Sequence, residues 1–340
     1  MGHMAERAVT ITDVARKAGV SPSLVSLVFN KRPNVSPAAA SLVREAAETL
    51  GYHPLPGARR RGPKPGLKRK MEAGGGFTIC LLSANAGNSW HSPVYADVAH
   101  GVEKAASASG CHLRVKNIPD LGAVTEELES LADGIVFLSG NAALKALLAE
   151  LNLPAIEVMG APDQFNRFDH VTYDNSMIGR IAARHLLDKG HRHCAVISNK
   201  GTLMAQRAAD FQAELAGAGG EADCHWLEGG SDEMARAVGR LLERRPLPTA
   251  LFSVADGLTV QLYQALYQRG VIPGKDLEIV STNKEVLVLR DLQPKPATVD
   301  IKTEEVGRCA VERLLWRRAC PTASRVKMLI SPELAGPENY

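Results

Sequence analysis

From Phe77 to about residue 300, short apolar runs alternate with amphipathic segments. FTICLLSA precedes PVYADVAHGVEKAASAS, GIVFLSG precedes AALKALLAEL, and AIEVMG and HVTYDN precede SMIGRIAARHLLDKG. The order then repeats: CAVISN, a helical pattern over about 202–217, CHWLEGG, a helical pattern over 231–244, ALFSVAD, a third over 257–269, and LEIVSTN. Strand–helix alternation sustained this long builds parallel sheets covered by helices on both faces. Two such doubly wound sheets, joined near 160–175 and again near 297–303, predict a bilobed α/β body with a cleft. Ligands of such sheets bind beyond the carboxyl ends of the strands.

The first fifty residues carry helix signals instead. Thr12 is expected to cap ITDVARKAG and Gly19 to stop it. Ser21-Pro22 places an N-cap before an N1 proline, so SPSLVSLVFN starts as a helix. Ser36-Pro37 opens SPAAASLVREAAETLG, which closes at Gly51. The spacing of the first two helices is that of a helix-turn-helix. Ala15 supplies the small residue at the crossing, and Gly19 and Val20 the tight turn with an inward apolar side chain. Val25, Val28 and Phe29, at i, i+3 and i+4, form the buried stripe, which leaves Pro22, Ser23, Ser26 and Leu27 outward. In a helix-turn-helix that outward face enters the major groove. A small bundle with no DNA role is the alternative, and charge argues against it. Residues 1–73 hold 13 Lys/Arg against 5 Asp/Glu, whereas the whole chain is only +3. Within 53–76, HPLPGARRRGPKPGLKRKMEAGGG has nothing to build a core and reads as a basic linker.

Other classes lack their signatures. The six cysteines, at 80, 111, 194, 224, 309 and 320, form no C-x-x-C pair, so neither a disulfide framework nor a zinc site is expected. No stretch approaches about 18 consecutive apolar residues, and no basic-then-apolar signal segment opens the chain. A cytoplasmic, nucleoid-associated protein is therefore expected, without cofactor or metal. There is no G-x-x-x-x-G-K-[ST], G-x-G-x-x-G after a strand, G-x-S-x-G or H-E-x-x-H, so an enzyme is not expected either.

VTITDVARKAGVSPSLVSLVFN and VSPAAASLVREAAETLGYHP resemble the DNA-binding head of the lac-repressor (LacI/GalR-type) family of bacterial transcription regulators. FTICLLSANAGNSWHSPVYADVAHGVEKA, VTYDNSMIGRIAARHLLDKGHRHCAVIS, PTALFSVADGLTVQLYQALYQRGVIPGKDLEIV and ATVDIKTEEVGRCAVERLL resemble its ligand-binding core, a periplasmic-binding-protein-like fold. The resemblance runs from about residue 9 to 334. It implies an all-α helix-turn-helix head plus a bilobed core of two doubly wound sheets. The expected boundaries are a cloning remnant and tail over 1–8, the DNA-binding domain over 9–53, the linker over 54–76 and the core over 77–340. Lobe 1 is expected over about 77–172 plus 300–322, and lobe 2 over about 173–297 plus 323–340.

The resemblance places base reading at Pro22, Ser23 and Leu27, with Ser26 beside them, phosphate contacts at Asn30, Ser36 and the helix N-termini, and further DNA contacts at Thr10, Thr12, Ser21 and Leu24. Many relatives carry long polar residues on that face, including an arginine. Leu27 can pack on a thymine methyl but cannot hydrogen-bond a guanine. The linker also departs from the family, which follows Tyr-x-Pro with a hinge helix. Pro56 and Gly57 oppose a helix, and Arg61 stands where the family's leucine is expected. Arg59, Arg60 and Arg61 are then expected to act as a minor-groove or phosphate arm; a purely electrostatic tether is the alternative.

In the core the resemblance implies an effector site at Trp90, His91, Tyr95, Met159, Arg207, Trp226, Asp256 and Asn283. Ala255 replaces the family's Asn, and Asn283 replaces an Asp that grips sugar hydroxyls. Each residue has a plainer role available: Trp226 as strand packing, Arg207 as a surface salt bridge. The implied function is a homodimeric regulator, acting as a repressor, that binds pseudo-palindromic double-stranded DNA and is switched by a sugar or small anionic metabolite. The alternative is a regulator acting through shape and phosphate contacts with a degenerate effector site.

Overall fold

Thr10 starts the first helix by capping it. In the computed structural model, which describes residues 10–29, 36–50, 52, 76–83, 92–118, 125–138, 141–160, 167–228 and 232–340, the Thr10 N–H and hydroxyl both donate to Asp13 Oδ2, at 3.0 and 2.6 Å. The cap is therefore Thr10, not Thr12, which lies exposed inside helix α1 (Ile11–Ala18). Gly19 ends the helix at φ +66°, a left-handed conformation that costs glycine little, and the Val20 N–H closes the turn on the Ala15 carbonyl at 3.0 Å. Ser21 Oγ accepts from the Leu24 N–H at the start of α2 (Pro22–Phe29), and Ser36 Oγ from the Ala39 N–H at the start of α3 (Pro37–Thr49), each at 3.3 Å. Val14, Ala15, Val25, Val28, Val43, Ala46 and Ala47 fill the space between the three helices, and Phe29 and Tyr52 close one side with ring centroids 5.7 Å apart.

The chain divides into two compact units, 1–68 and 69–340. The second contains two six-stranded sheets. The first sheet has the order β2 (His112–Asn117), β1 (Thr78–Ser83), β3 (Gly134–Leu138), β4 (Ala155–Val158), β5 (Asp169–Tyr173), β11 (Lys327–Ile330), all parallel. The second has the order β7 (Glu221–Leu227), β6 (His193–Asn199), β8 (Ala250–Ser253), β9 (Glu278–Asn283), β10 (Ala297–Asp300), β12 (Glu333–Ala335). Only β12 runs antiparallel to its neighbour. The inner strands β1, β3, β4 and β8 are buried at every residue, as strands covered on both faces must be.

Helices α4 (Pro93–Ala108), α5 (Thr125–Leu131), α6 (Ala142–Glu150) and α12 (Thr303–Ala319) belong to lobe 1. Helices α7 (Asn175–Asp188), α8 (Thr202–Gly217), α9 (Glu233–Leu242), α10 (Asp256–Tyr267) and α11 (Val286–Leu289) belong to lobe 2. The chain passes between lobes after β5, after β10, and between β11 and β12. Residues 327–330 therefore add a strand to lobe 1, where lobe 2 was expected. A buried ion cluster draws them there. Arg317 on α12 binds Asp169 at the start of β5 through Nε (2.6 Å) and Nη2 (3.0 Å), Arg313 adds a third bond at 3.0 Å, and the Val326 N–H donates to the same carboxylate at 2.7 Å. Burial raises the Asp169 pKa, but these hydrogen bonds outweigh it and hold the carboxylate below its ordinary range.

Glycine sets how closely the paired helices pack. A Cβ on Gly307 of α12 would lie 2.2 Å from the Val98 carbonyl oxygen of α4, and one on Gly101 of α4 would lie 2.0 Å from the Glu304 carbonyl oxygen. A Cβ on Gly179 of α7 would lie 2.2 Å from the Arg207 carbonyl oxygen on α8. Those clashes are with backbone and cannot be relieved by rotamer changes. G307A or G179A is expected to lower core stability by about 1–3 kcal/mol. G217A, whose Cβ meets nothing within 4 Å, is expected to be neutral or to stabilise by up to about 1 kcal/mol. Urea unfolding of the three variants checks this; equal midpoints for G217A and G307A would contradict it.

Candidate functional site

On the head, the structure leaves Pro22 and Leu27 exposed on α2, with Leu27 at 39%. Leu24 is half-buried, and Val25 and Val28 are inside. The hydroxyls of Thr10, Ser21 and Ser36 are engaged at helix N-termini, so they reach a phosphate only by sharing that role. The first N–H groups of each helix still point outward with a positive dipole end. The side chains of Ser23 and Ser26, and residues Asn30, Arg59, Arg60 and Arg61, lie outside the described residues.

In the core, the loops at 84–91, 119–124, 139–140, 161–166 and 229–231 lie outside the described residues, and with them Trp90 and His91. Among the described residues, polar groups gather where β5, β8 and β9 end, around Arg207. This arginine is 1% exposed, which removes the surface salt-bridge reading. Its Nε donates to Asn175 Oδ1 at 2.8 Å, Nη1 to the Val254 carbonyl at 2.8 Å and to Asn283 Oδ1 at 3.1 Å, and Nη2 to the Tyr173 hydroxyl at 3.1 Å. The Tyr173 ring lies beside the guanidinium at 5.4 Å. Nη1 also approaches the Met204 sulfur at 3.7 Å, and all five acceptors are neutral. Among the described residues four of the five N–H donors are thus used, and one on Nη2 remains. Burial lowers the Arg207 pKa, while Tyr173, Asp256 and Glu285 oppose that shift.

Asn283 links this cation to a carboxylate. Its Nδ2 donates to Glu285 Oε1 at 2.7 Å while its Oδ1 accepts from Arg207. The backbone there is unusual: Asn283 has φ +110° and Lys284 φ +61°, and asparagine is among the residues that best tolerate that region. Asp256 is fully buried beneath the same turn. Its carboxylate accepts from the Glu285 N–H at 2.6 Å, from Thr298 Oγ1 at 3.4 Å and from the Ser281 hydroxyl. Burial pushes the Asp256 pKa up to about 7 and raises that of Glu285 as well.

The structure thus brings Arg207, Asn283 and Asp256 together and adds Tyr173, Asn175 and Glu285, which the sequence analysis did not single out. Tyr173 and Asn175 stand in the polar run YDNS directly after a strand, and that run was the available signal. Met159 is buried in the lobe core at φ +65°, offering its carbonyl to His170 Nε2 at 2.8 Å. Tyr95 and Trp226 are half-buried and pack against the same core cluster. Of two surface grooves, one of about 890 Å³ lies away from this cluster between α9 and α10, and one of about 710 Å³ lies against α4 and α12 and touches the cluster at Asn283. Neither is lined by Arg207 or Asp256. No group of three His, Cys, Asp or Glu among the described residues is placed to hold a metal ion, and no helix there is long and apolar enough to cross a membrane.

A helix-turn-helix joined to two parallel-sheet lobes, with polar groups gathered at the strand ends, defines a DNA-binding protein with a ligand-binding core. Residues 10–55 match the lacI family of bacterial regulatory proteins, and residues 183–335 match the periplasmic binding protein-like domain. The chain thus carries a lacI-family DNA-binding domain and a periplasmic binding protein-like domain, and its relatives are repressors of the same make-up. It is 29% identical over 320 residues to catabolite control protein A of Priestia megaterium, covering 90% of this chain and 91% of that one. It is 27% identical to the ribose operon repressor of Escherichia coli (strain K12), covering 96% and 98%. Among solved structures, the transcriptional regulator CelR in complex with cellobiose is 25% identical with a TM-score of 0.64, over 98% of this chain and all of that one. The lac repressor dimer bound to operator and an anti-inducer shares the fold at 20% identity, with a TM-score of 0.62 over 97% and 98%.

The raised Asp256 pKa has a stability consequence of definite sign. A carboxyl that binds its proton more tightly when folded (about 7 against 3.8) stabilises the fold fully below pH 4, and loses that contribution as pH rises towards 7. Core stability is expected to fall across that window by up to about 4 kcal/mol on this account. D256N keeps acceptor and donor positions for the surrounding hydroxyls and is expected to flatten the decline, with Glu285 leaving a residual slope of the same sign. Thermal melting from pH 4 to 8 checks this; parallel curves for both proteins would contradict it.

Proposed function

We propose that this protein is a repressor that binds pseudo-palindromic operator DNA as a homodimer and releases or grips it when a small hydroxylated ligand, a sugar or similar polyol, closes the core around Arg207. The carrying observation is the Arg207–Asn283–Glu285 chain at the strand ends. One free guanidinium N–H, an amide and a carboxylate offer donors and an acceptor within one turn, the pattern that forks onto adjacent hydroxyls. The ribose operon repressor and the CelR–cellobiose complex support that ligand class. A small anion is the second reading, favoured by the absence of any carboxylate hydrogen-bonded to Arg207 among the described residues. Glu285 opposes it unless protonated. Apolar side chains exposed on α11, Leu287 at 72% and Val286 beside it, suit burial by a second copy. The protein acts in the cytoplasm, on the nucleoid, and without catalysis.

On DNA, the face of Pro22 and Leu27 supports shape fit and thymine-methyl contact rather than polar base readout. Operators selected from random fragments are expected to carry A·T pairs where α2 enters the groove, and L27A to relax the preference there by about 1 kcal/mol per half-site. Replacing Arg59, Arg60 and Arg61 with alanine is expected to reduce the slope of log affinity against log salt by up to about 2.7, at 0.9 per phosphate. Selection with and without a panel of neutral sugars and carboxylates tests the whole reading, and no enrichment at moderate salt would defeat it. R207K is expected to keep DNA binding but lose the ligand response at least tenfold, because lysine cannot hold the forked geometry.

A further inference from the structure

The end of α12 and the turn after it form a concentrated cationic surface. Residues 313–327 contain Arg313, Arg317, Arg318, Arg325 and Lys327 and no Asp or Glu. Asp169 is the carboxylate that Arg313 and Arg317 share, so five positive charges face one negative. Arg317 is fully occupied: besides Asp169 it donates to the carbonyls of Cys320, Pro321, Ala323 and Ser324, which ties down the turn. Helix-end dipole and local capping therefore account for Arg317. They leave Arg318, Arg325 and Lys327, all exposed and none paired with a carboxylate among the described residues. Trp316, on the same end of α12, stands 41% exposed with the Arg313 guanidinium 3.8 Å from its ring centre. Exposed cations with no counter-charge in the fold attract a polyanion.

Arg318 sits where the linker enters the core. The Arg318 guanidinium lies 4.6 Å from the ring centre of Phe77, the residue before β1. Residues 53–76 lead from there back to the head and carry seven Lys/Arg against Glu72 alone. A stretch of that length spans at most about 85 Å when fully extended.

We propose that Arg318, Arg325 and Lys327 form a second DNA contact on the core itself, gripping phosphates that flank the operator, with Trp316 packing against the sugar edge. This rests on the DNA-binding reading above. The contact is sequence-blind and adds to affinity and salt dependence, not to base choice.

The test uses the full chain with R318A/R325A/K327A, and with R325A/K327A in case the triple variant is unstable; a melting curve checks folding. Binding to a selected operator with long flanks is measured from 50 to 200 mM salt. The triple variant is expected to lose about 2.7 from the log–log slope, so that affinity gained on lowering the salt shrinks about 40-fold, and the double variant about two-thirds of that slope. Trimming the flanks should bring the wild-type slope down to the variant's while leaving the variant unchanged. An unchanged slope in folded variants, with the wild type binding normally, overturns the core contact. A wild type that binds no DNA overturns the regulator reading instead.

Discussion

Arg207 holds together the polar cluster at the strand ends, where the proposed ligand would act. Its guanidinium binds groups from four separate segments: Tyr173 at the end of β5, Asn175 at the start of α7, the Val254 carbonyl after β8, and Asn283 after β9. One of these, Tyr173, immediately precedes a crossing between lobes. A buried cation held only by neutral acceptors is a costly arrangement, because each dipole compensates less than a carboxylate would. It persists because desolvation is shared among four bonds and because Asp256 and Glu285 stand close enough to lend charge without direct pairing. A ligand that offers a better acceptor to the remaining Nη2–H would relieve part of that cost, and this is the differential interaction that a lobe-closing equilibrium requires.

Asn283 explains why the carboxylate sits one step away. An Asp at 283 would face Arg207 directly and would also lie against Glu285, two like charges in a buried turn. The amide satisfies both neighbours at once, accepting from the arginine and donating to Glu285. The polar capacity that seems lost when the family's Asp is replaced is thus partly restored by a residue two positions later. That pairing of neighbouring choices is why the cleft looks depleted in the sequence and less so in the structure.

Much of the architecture was legible because buried parallel strands and amphipathic helices have strong periodic signals. The failures fall where those signals weaken. β2 escaped notice because HLRVKN is an edge strand, exposed or half-exposed at every residue, with no buried alternation to read. KMLI reads as a strand, but nothing in four residues says which sheet takes it; Asp169, more than 150 residues earlier, decides through Arg317 and the Val326 N–H. Thr12 was preferred to Thr10 as a cap although Asp13 stands three residues after Thr10, the spacing at which an acidic side chain reaches back to the capping residue. In the site, Arg207 and Asn283 were identifiable only through family resemblance, since an isolated Arg or Asn carries no pattern. Glu285 had neither pattern nor resemblance to mark it.

The head imposes a further constraint on how the protein can discriminate between DNA sequences. Its exposed face offers Pro22 and Leu27, so a base pair that this face met would contribute about 1 kcal/mol at most through a methyl contact. Phosphate contacts from a basic linker add affinity to operator and bulk DNA alike. Separation from a genome of competing sites commonly needs roughly 4–10 kcal/mol. One head of this composition falls short of that. Two heads on one pseudo-palindrome double the base-dependent part, and a fixed spacing between them adds the energy of bending or twisting the intervening steps, which also depends on sequence. Under the proposed repressor reading, that is the use a second copy of the chain would serve. Any ligand that shifts the spacing of the heads acts on the specific part of binding and leaves the sequence-blind phosphate contacts in place.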